Sequence, residues 1–157
     1  MPDEDEMTDS YRKLAIAIGI NTVVMFLLTY ALIDSLDHFY PNINRAYMAL
    51  MMSAPMVVVM LVVMRSMYPD RRRNLYLIGG FIGLFVVIFT MSRLQTGVGD
   101  DQFLRSMIPH HSSAIVMCEE AALTSPEILD LCEDIVATQE REIAEMKRLL
   151  GQMNVSR

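Results

Sequence analysis

The chain has 157 residues, of which 53% are hydrophobic and only 20% are charged, and its formal net charge is -6. No basic stripe runs along a soluble face, so the composition excludes a nucleic-acid partner. It fits a small membrane domain with an appended polar segment, and it includes 15 methionines, an unusually large number for this length.

Three uncharged runs define the predicted architecture. They cover residues 14–33, 46–64 and 75–92, and each is long enough to cross a hydrocarbon core of ~30 Å at ~1.5 Å per residue. Residues 1–13 form an acidic N-terminal tail that we expect to be disordered through residue 11. The sequence therefore predicts a three-helix transmembrane domain over 14–93. A helical hairpin buried in a soluble core is the less favoured alternative.

The basic residues predict the orientation of these spans. Cytoplasmic loops carry an excess of Lys and Arg. The N-terminal side and the second loop contain Arg12, Lys13, Arg65, Arg71, Arg72 and Arg73, and the opposite side contains Arg45, Arg93 and Arg105. We therefore expect a multi-pass protein of a bacterial inner (cell) membrane, with a cytoplasmic N-terminus and a periplasmic C-terminal domain. The lipid bilayer is its first expected partner.

The second span is rich in methionine. Residues 46–68 hold seven, many of them spaced four apart: Met48, Met51, Met52, Met56, Met60, Met64 and Met67. Thioethers are soft ligands that select Cu(I) or Ag(I) over hard cations. A methionine path that passes or senses such an ion is one interpretation, and apolar packing in the membrane is the other.

Asn21 and His38 are two polar residues outside the C-terminal segment. Asn21 lies at membrane depth and is expected to form an interhelical hydrogen bond. His38 lies in the first loop and is expected to be solvated, as a lone loop histidine usually is.

The C-terminal segment predicts an antiparallel helical hairpin. Residues 94–99 form a linker, and Asp100 or Asp101 offers an N-cap for a helix that runs to about Leu123. The stretch TSPE at 124–127 ends that helix and starts another, with Pro126 in its first turn. The second helix is expected to end at Gly151. Residues 100–157 are thus a predicted helical-hairpin domain of an all-α protein.

The stretch SMIPHHSSAIVMC at 106–118 places histidines and sulfur on one helix face. At ~100° per residue its histidines, thioethers and Cys118 lie within a sector of about 120°, and Pro109 should bend the helix beside them. Equal distances from the turn bring Gln139 and Glu142 opposite. The candidate metal ligands are Met107, His110, His111, Met117, Gln139, Glu142 and Met146.

These ligand types favour copper. Imidazole and thioether suit Cu(I), for which Ag(I) is a mimic, while carboxylate and amide oxygens would also accept Cu(II) or Zn(II). The alternative is a metal-free polar patch at an oligomer interface. For Cys118 and Cys132, which face the same level of the hairpin, a disulfide worth about 3 kcal/mol or free buried thiols are favoured over metal ligation.

The segments DDQFLRSMIPHHSSAIVMCEEA and IVATQEREIAEMKRLL resemble the domain of unknown function 305 family. The family motif Met-Ile-Pro-His-His corresponds to 107–111, and its Gln-x-x-Glu-Ile-x-x-Met to Gln139, Glu142, Ile143 and Met146. The methionine-rich second span also resembles the membrane segment of three-span members. The resemblance implies ferritin-like helix packing, which makes the hairpin half of a bundle, and extracytoplasmic copper binding through Met and His. The two cysteines depart from the family pattern, and the Glu-x-x-His pairs of di-iron sites are absent.

The sequence therefore predicts a membrane-anchored copper-binding protein of metal homeostasis or tolerance, which forms a homo-oligomer. The alternative is a metal-free interaction protein whose hairpin dimerises into a four-helix bundle. No nucleophile–base pair is visible in the sequence, so no enzyme activity is expected.

Overall fold

The computed structural model describes residues 4–155, without the side chains of residues 4–7 and 154. This part of the chain is all-α, as predicted, and contains no strand. Its elements in chain order are α1 (Glu4–Leu28), a short 3-10 helix (Leu36–His38), α2 (Ile43–Val63), α3 (Arg71–Arg93), α4 (Asp100–Glu119) and α5 (Pro126–Val155).

Three of these helices are long and apolar enough to cross a membrane. The candidate spans are Thr8–Leu28, Ile43–Val63 and Arg71–Arg93. Each contains most of one of the uncharged runs, because an uninterrupted apolar run can satisfy its backbone only by forming a helix in lipid. The chain is therefore a membrane protein by the length and composition of its helices.

The N-terminal boundary differs from the prediction. Residues 4–13 are helical and not a disordered tail, and residues 1–3 lie outside the described part. One turn of α1 brings Asp9 within 2.6 Å of the Lys13 ammonium and 3.6 Å of the Arg12 guanidinium. Such i,i+3 and i,i+4 pairs favour helix, and the helix continues directly into the apolar run. Its other end also moves, since α1 ends at Leu28, before residue 33.

The chain divides into two compact units. The first comprises the chain through Thr29 together with Ala46–Thr96, and the second comprises Tyr30–Arg45 together with the chain from Gly97 onward. The hairpin unit thus begins near the predicted linker, but it also includes the first loop. That addition was not predicted from the sequence.

The membrane unit has a small core shared by its three helices. Its buried members are Leu14, Val57, Leu61 and Tyr68. Tyr11 of α1 donates a hydrogen bond to Asn74 Oδ1 of α3 at 2.8 Å. The predicted interhelical role of Asn21 is confirmed, because its Nδ2 donates to Ser53 Oγ of α2 at 3.2 Å.

In the hairpin unit, α4 and α5 pack along an apolar seam. Its buried residues are Leu104, Ile108, Ile115, Ile143, Met146 and Leu150. Gly99 is the N-cap of α4, so Asp100 and Asp101 occupy its first turn, where their charges favour the helix dipole. The helix ends at Glu119, earlier than expected, whereas α5 begins at Pro126 as predicted.

The second helix of the hairpin, α5, was expected to end at Gly151 but continues to Val155. Leu150 is buried, and Met153 packs against the same core. The apolar spacing therefore continues past the glycine, and the packing that it provides outweighs the weak helix propensity of one glycine.

Candidate metal centre

His111 is fixed by two contacts on the α4–α5 seam. Its Nδ1 lies 2.9 Å from the Met107 carbonyl oxygen, and its Nε2 lies 2.8 Å from Glu142 Oε2. A carbonyl oxygen can only accept, so Nδ1 carries the proton and donates it to Met107. This hydrogen bond fixes the ring and turns Nε2 toward Glu142, and contacts of the same kind on the second ring nitrogen orient histidine ligands of metals.

The two donor atoms are close together, but nearer than two ligands of one ion. Tetrahedral ligands that each lie ~2.1 Å from an ion are about 3.4 Å apart, so the 2.8 Å between His111 Nε2 and Glu142 Oε2 would widen to admit one. A proton on Nε2 would make the same contact a hydrogen bond to the carboxylate. Among the described residues no group of three His, Cys, Asp or Glu side chains could hold a metal. An ion bound at this pair would therefore need a further donor of another kind, such as a thioether or an amide oxygen.

Two of the other predicted ligands are directed away from this pair. His110 is exposed, and its ring centroid lies 5.9 Å from that of His111. Met117 is 65% exposed, and six residues of helix place it ~9 Å along α4 and ~240° around it from His111. The structure therefore does not bring Met117 to the His111–Glu142 pair.

The remaining predicted ligands of the hairpin lie on or beside the seam. Met107 is half-buried one turn before His111 and packs against the core. Gln139 is also half-buried, one turn before Glu142 on α5. Met146 is only 8% exposed and is a member of the core, so its thioether fills apolar space in this structure.

The structure joins Cys118 and Cys132 by a disulfide bond, with their Cα atoms 5.4 Å apart. The bond connects the end of α4 to the start of α5 and closes the turn between them. Both sulfur atoms are occupied, and the described chain has no free cysteine. Neither residue is then a thiolate ligand.

The methionines of the second span divide into groups. Met48, Met52 and Met56 form an outward stripe on α2, with exposures of 47%, 43% and 43%. Met60 and Met64 pack against the core of the membrane unit. Met51 is half-buried in α2, whereas Met67 lies beyond the end of the helix at Val63 and is 50% exposed. The seven side chains therefore do not follow one continuous line.

The first loop covers the other side of α4, at the notch made by Pro109. Proline has no N–H, so the Arg105 carbonyl lacks its usual partner in the helix. Asn42 supplies the missing donor, with its Nδ2 3.2 Å from that oxygen. The proline of the motif thus frees an acceptor that Asn42 of the first loop satisfies. The missing N–H is a signal that could have indicated such a contact, although only a bend in the helix was predicted from it.

Ser112 is the second anchor of this loop and is 0% exposed. Its hydroxyl oxygen accepts the Asp34 N–H at 2.7 Å and lies 2.9 Å from His38 Nδ1. Burial lowers the pKa of His38, and the charge of Lys147 lowers it further. The expectation that His38 is simply solvated is wrong, because its ring is partly buried and contacts Ser112.

Ser112 and His38 also form a serine–histidine contact that the sequence did not reveal. A nucleophilic serine must meet its substrate, and the Ser112 side chain is inaccessible to one. The contact anchors the loop; it does not expose a reactive hydroxyl.

A family model described as "Domain of unknown function (DUF305)" matches residues 88–150. The Uncharacterized protein L153 of Acanthamoeba polyphaga mimivirus is 33% identical over 121 residues, which cover 76% of this chain and 78% of that protein. The chain belongs to the DUF305 family. No solved structure matches it.

The DUF305 match contains every hairpin residue predicted as a ligand, and also both cysteines. It does not extend to the methionine-rich α2 or to the loop that covers Ser112. The match confirms the resemblance of the hairpin segment to the DUF305 family.

Proposed function

We propose that this DUF305 protein is a membrane-anchored copper-binding protein of metal homeostasis or tolerance, with Cu(I) as its preferred ion. The carrying observation is the His111 ring, whose Nδ1 is held by the Met107 carbonyl while its Nε2 faces Glu142 at 2.8 Å. This arrangement provides an oriented imidazole nitrogen beside an anionic oxygen. The proposal does not include an enzyme activity.

The nearby side chains support a soft ion. The Met107 thioether lies on the same helix face as His111, one turn away, and the neighbouring residue His110 carries a second, exposed imidazole. Imidazole and thioether together suit Cu(I), whereas Mg²⁺ and Ca²⁺ prefer sites made only of oxygen. Glu142 would offset the charge of a bound cation. Gln139, half-buried one turn from Glu142, would supply an amide oxygen, and the core packing of Met146 leaves it a secondary candidate.

We further propose that the N-terminus is cytoplasmic and the hairpin extracytoplasmic, which in a bacterium means the periplasm. The excess of basic residues around the second loop supports this orientation. So does the Cys118–Cys132 disulfide, because structural disulfides persist in oxidising compartments.

The outward methionine stripe of α2 supports a secondary proposal. Met48, Met52 and Met56 could offer soft contacts to an ion passing along the surface of the helix, whereas Met60 and Met64 are engaged in packing. Replacement of the three stripe residues by Leu would preserve their volume and remove the sulfur. Loss of metal tolerance in cells, with hairpin binding unchanged, would support a role in handling the ion.

The direct test is a calorimetric titration of the full chain in detergent with Ag(I), the mimic of Cu(I). We expect His111→Ala to lower the affinity at least tenfold. His38→Ala is the matched control, since it removes an imidazole from the same unit but on the covered side of α4. Weak and equal binding by wild type and both variants would contradict the proposal and leave the metal-free interaction protein as the better account.

A further inference from the structure

The hairpin unit has two faces of different character. The first loop, 30–45, covers the side of α4 that carries Pro109 and Ser112. The opposite side carries the His111–Glu142 contact, and we call it the open face. At ~100° per residue from the buried seam, the open face comprises Phe103, Met107, His110, His111 and Ala114 of α4, with Leu131, Ile135, Glu142, Leu149 and Met153 of α5.

The open face is apolar and poor in charge. Phe103, Leu131 and Leu149 are 51%, 57% and 36% exposed. A groove of about 410 Å³ runs along one end of the face. Its lining residues are Asp100, Phe103, Leu104, Leu149, Gln152 and Met153.

No Lys or Arg of α4 or α5 lies within the open face, by the same helical geometry. Arg105 and Lys147 lie on the covered side of their helices, and Arg141 and Arg148 on the back of α5. Interface cores show this combination of aromatic and methionine side chains with few charges.

The metal site of a single chain is incomplete. Only His111 Nε2 and Glu142 Oε2 converge, and the described residues contain no third His, Cys, Asp or Glu that could join them. His110 precedes His111 and lies ~100° from it around the helix, so its exposed ring projects outward from the open face and away from α5. A ligand-type side chain thus projects from the same surface that holds an unfinished ligand pair.

We propose that two copies of the chain pack through their open faces, and that His110 of each copy completes the His111–Glu142 site of the other. The inference rests on the copper-binding function proposed above, because it assigns the third ligand of that site. It gives a ligand role to His110, whose ring is directed away from the His111–Glu142 pair of its own chain.

A second copy fits this face better than an unrelated partner does. In a twofold interface the same patch lies on both sides, so a suitable patch must carry both halves of each contact. The open face carries the projecting imidazole of His110. It also carries the His111–Glu142 pair that this imidazole would join in the other copy. Flanking apolar groups, Phe103 and Leu149 among them, would bury one another around that centre.

The first experiment measures association of the full chain in detergent without metal, by light scattering. We expect a dimer for the wild type and at least a tenfold weaker dimer for Leu131→Lys. The matched control is Leu129→Lys, two residues away on α5 and 48% exposed, but on the other flank of the helix. A monomeric wild type, or equal weakening by both variants, would overturn the open-face interface.

The second experiment tests the shared site. Chains carrying His110→Ala and chains carrying His111→Ala, each with a different affinity tag, are produced together, and the mixed dimer is isolated through both tags. The mixed dimer pairs an intact His111 on one chain with an intact His110 on the other, at one of its two sites. We expect it to bind about half as much Ag(I) as the wild-type dimer, whereas each variant alone binds almost none.

The outcomes separate this inference from the proposed function. Ag(I) binding by the wild type, with no binding by the mixed dimer, would place both histidines in one chain and overturn the inference while the function stands. Unchanged binding by His110→Ala alone would also overturn it. Absence of Ag(I) binding by a dimeric wild type would overturn the proposed function and the shared site together.

Discussion

The two faces of the hairpin unit begin from adjacent residues of α4 and differ in what their polar groups meet. Ser112 is 0% exposed and receives the Asp34 N–H, and it contacts His38 as well. His111 contacts Glu142 at the edge of a surface on which His110 and several apolar side chains are exposed. The polar groups of the covered face hydrogen-bond to the first loop, whereas those of the open face include the exposed ring of His110.

The motif at 107–112 therefore contains two sets of groups, each with its own partner. Pro109 and Ser112 bind the first loop, through the freed Arg105 carbonyl and through the buried hydroxyl. The Met107 carbonyl orients the His111 ring toward Glu142. Residues 107–112, about one turn and a half of helix, thus carry both the groups that bind the first loop and the groups that form the His111–Glu142 contact.

The largest expected effect concerns the disulfide, which lies at the hairpin turn and serves both faces. A Cys118→Ser/Cys132→Ser double variant should lower the free energy of unfolding of the hairpin unit by about 3 kcal/mol. Ag(I) affinity should change little, because Cys118 lies two turns from His111. Hydrogen exchange of the α4 and α5 amides in the full chain would measure the first effect, and calorimetry the second. A tenfold loss of affinity would show that the sulfurs belong to the metal site.

The next effect should appear on the covered face. Ser112→Ala removes, from a fully buried position, the acceptor of the Asp34 N–H and the contact to His38, and hydrogen-bonding groups left unpaired in such a position cost about 1–3 kcal/mol. We expect a loss of about 2 kcal/mol in the stability of the hairpin unit, measured by hydrogen exchange. Ser113→Ala is the matched control, since Ser113 Oγ bonds only back to the Pro109 carbonyl of its own helix in the described contacts. Equal losses would remove the distinction between anchoring and ordinary helix polarity.

The Asn42 contact gives a smaller effect and a sharper test of the role of Pro109. Asn42→Ala removes the donor to the Arg105 carbonyl, and this should cost about 1–2 kcal/mol. Asn42 makes other contacts, including one from the Arg45 N–H to its Oδ1 at 3.0 Å, so the single variant alone does not isolate the notch.

A double-mutant cycle separates these contributions. In a Pro109→Ala background the helix regains its own N–H donor for Arg105, and Asn42→Ala should then cost measurably less. An identical cost in both backgrounds would mean that the freed carbonyl does not position the loop.

The sequence predicted most of the architecture because its signals are local. Uncharged runs defined the spans to within several residues, and TSPE located the hairpin turn. Equal distances from that turn correctly placed this part of α5 opposite the histidines. By that count Gln139 is nearer to His111 than Glu142 is, but the observed partner is Glu142. The same reasoning missed the end of α5, because a glycine stop signal is weak beside the packing of Leu150 and Met153.

What the sequence did not predict depends on contacts between distant segments. Nothing local to His38 or Asn42 indicates that they meet α4 more than sixty residues later. The methionines of α2 show the same limit, since equal spacing gave no indication that Met60 would pack and Met52 would face outward. Only the unpaired carbonyl before Pro109 required a distant partner, and it did not name one.

The smallest expected effect is a dependence of stability on pH that belongs to the covered face. Burial holds the pKa of His38 below its ordinary value of 6.5, with Lys147 acting in the same direction and Asp34 and Asp37 acting against it. The folded unit therefore resists a proton that the unfolded chain accepts below about pH 6.5, so stability is fully present above that pH and is lost as the pH falls through the folded pKa. Thermal unfolding between pH 7.5 and 5.5 should show a larger loss for the wild type than for His38→Gln, which does not titrate. Equal losses in the two proteins would mean that the His38 ring is as solvated as a loop histidine ordinarily is, and that the covered face is held by Ser112 and Asn42 without it.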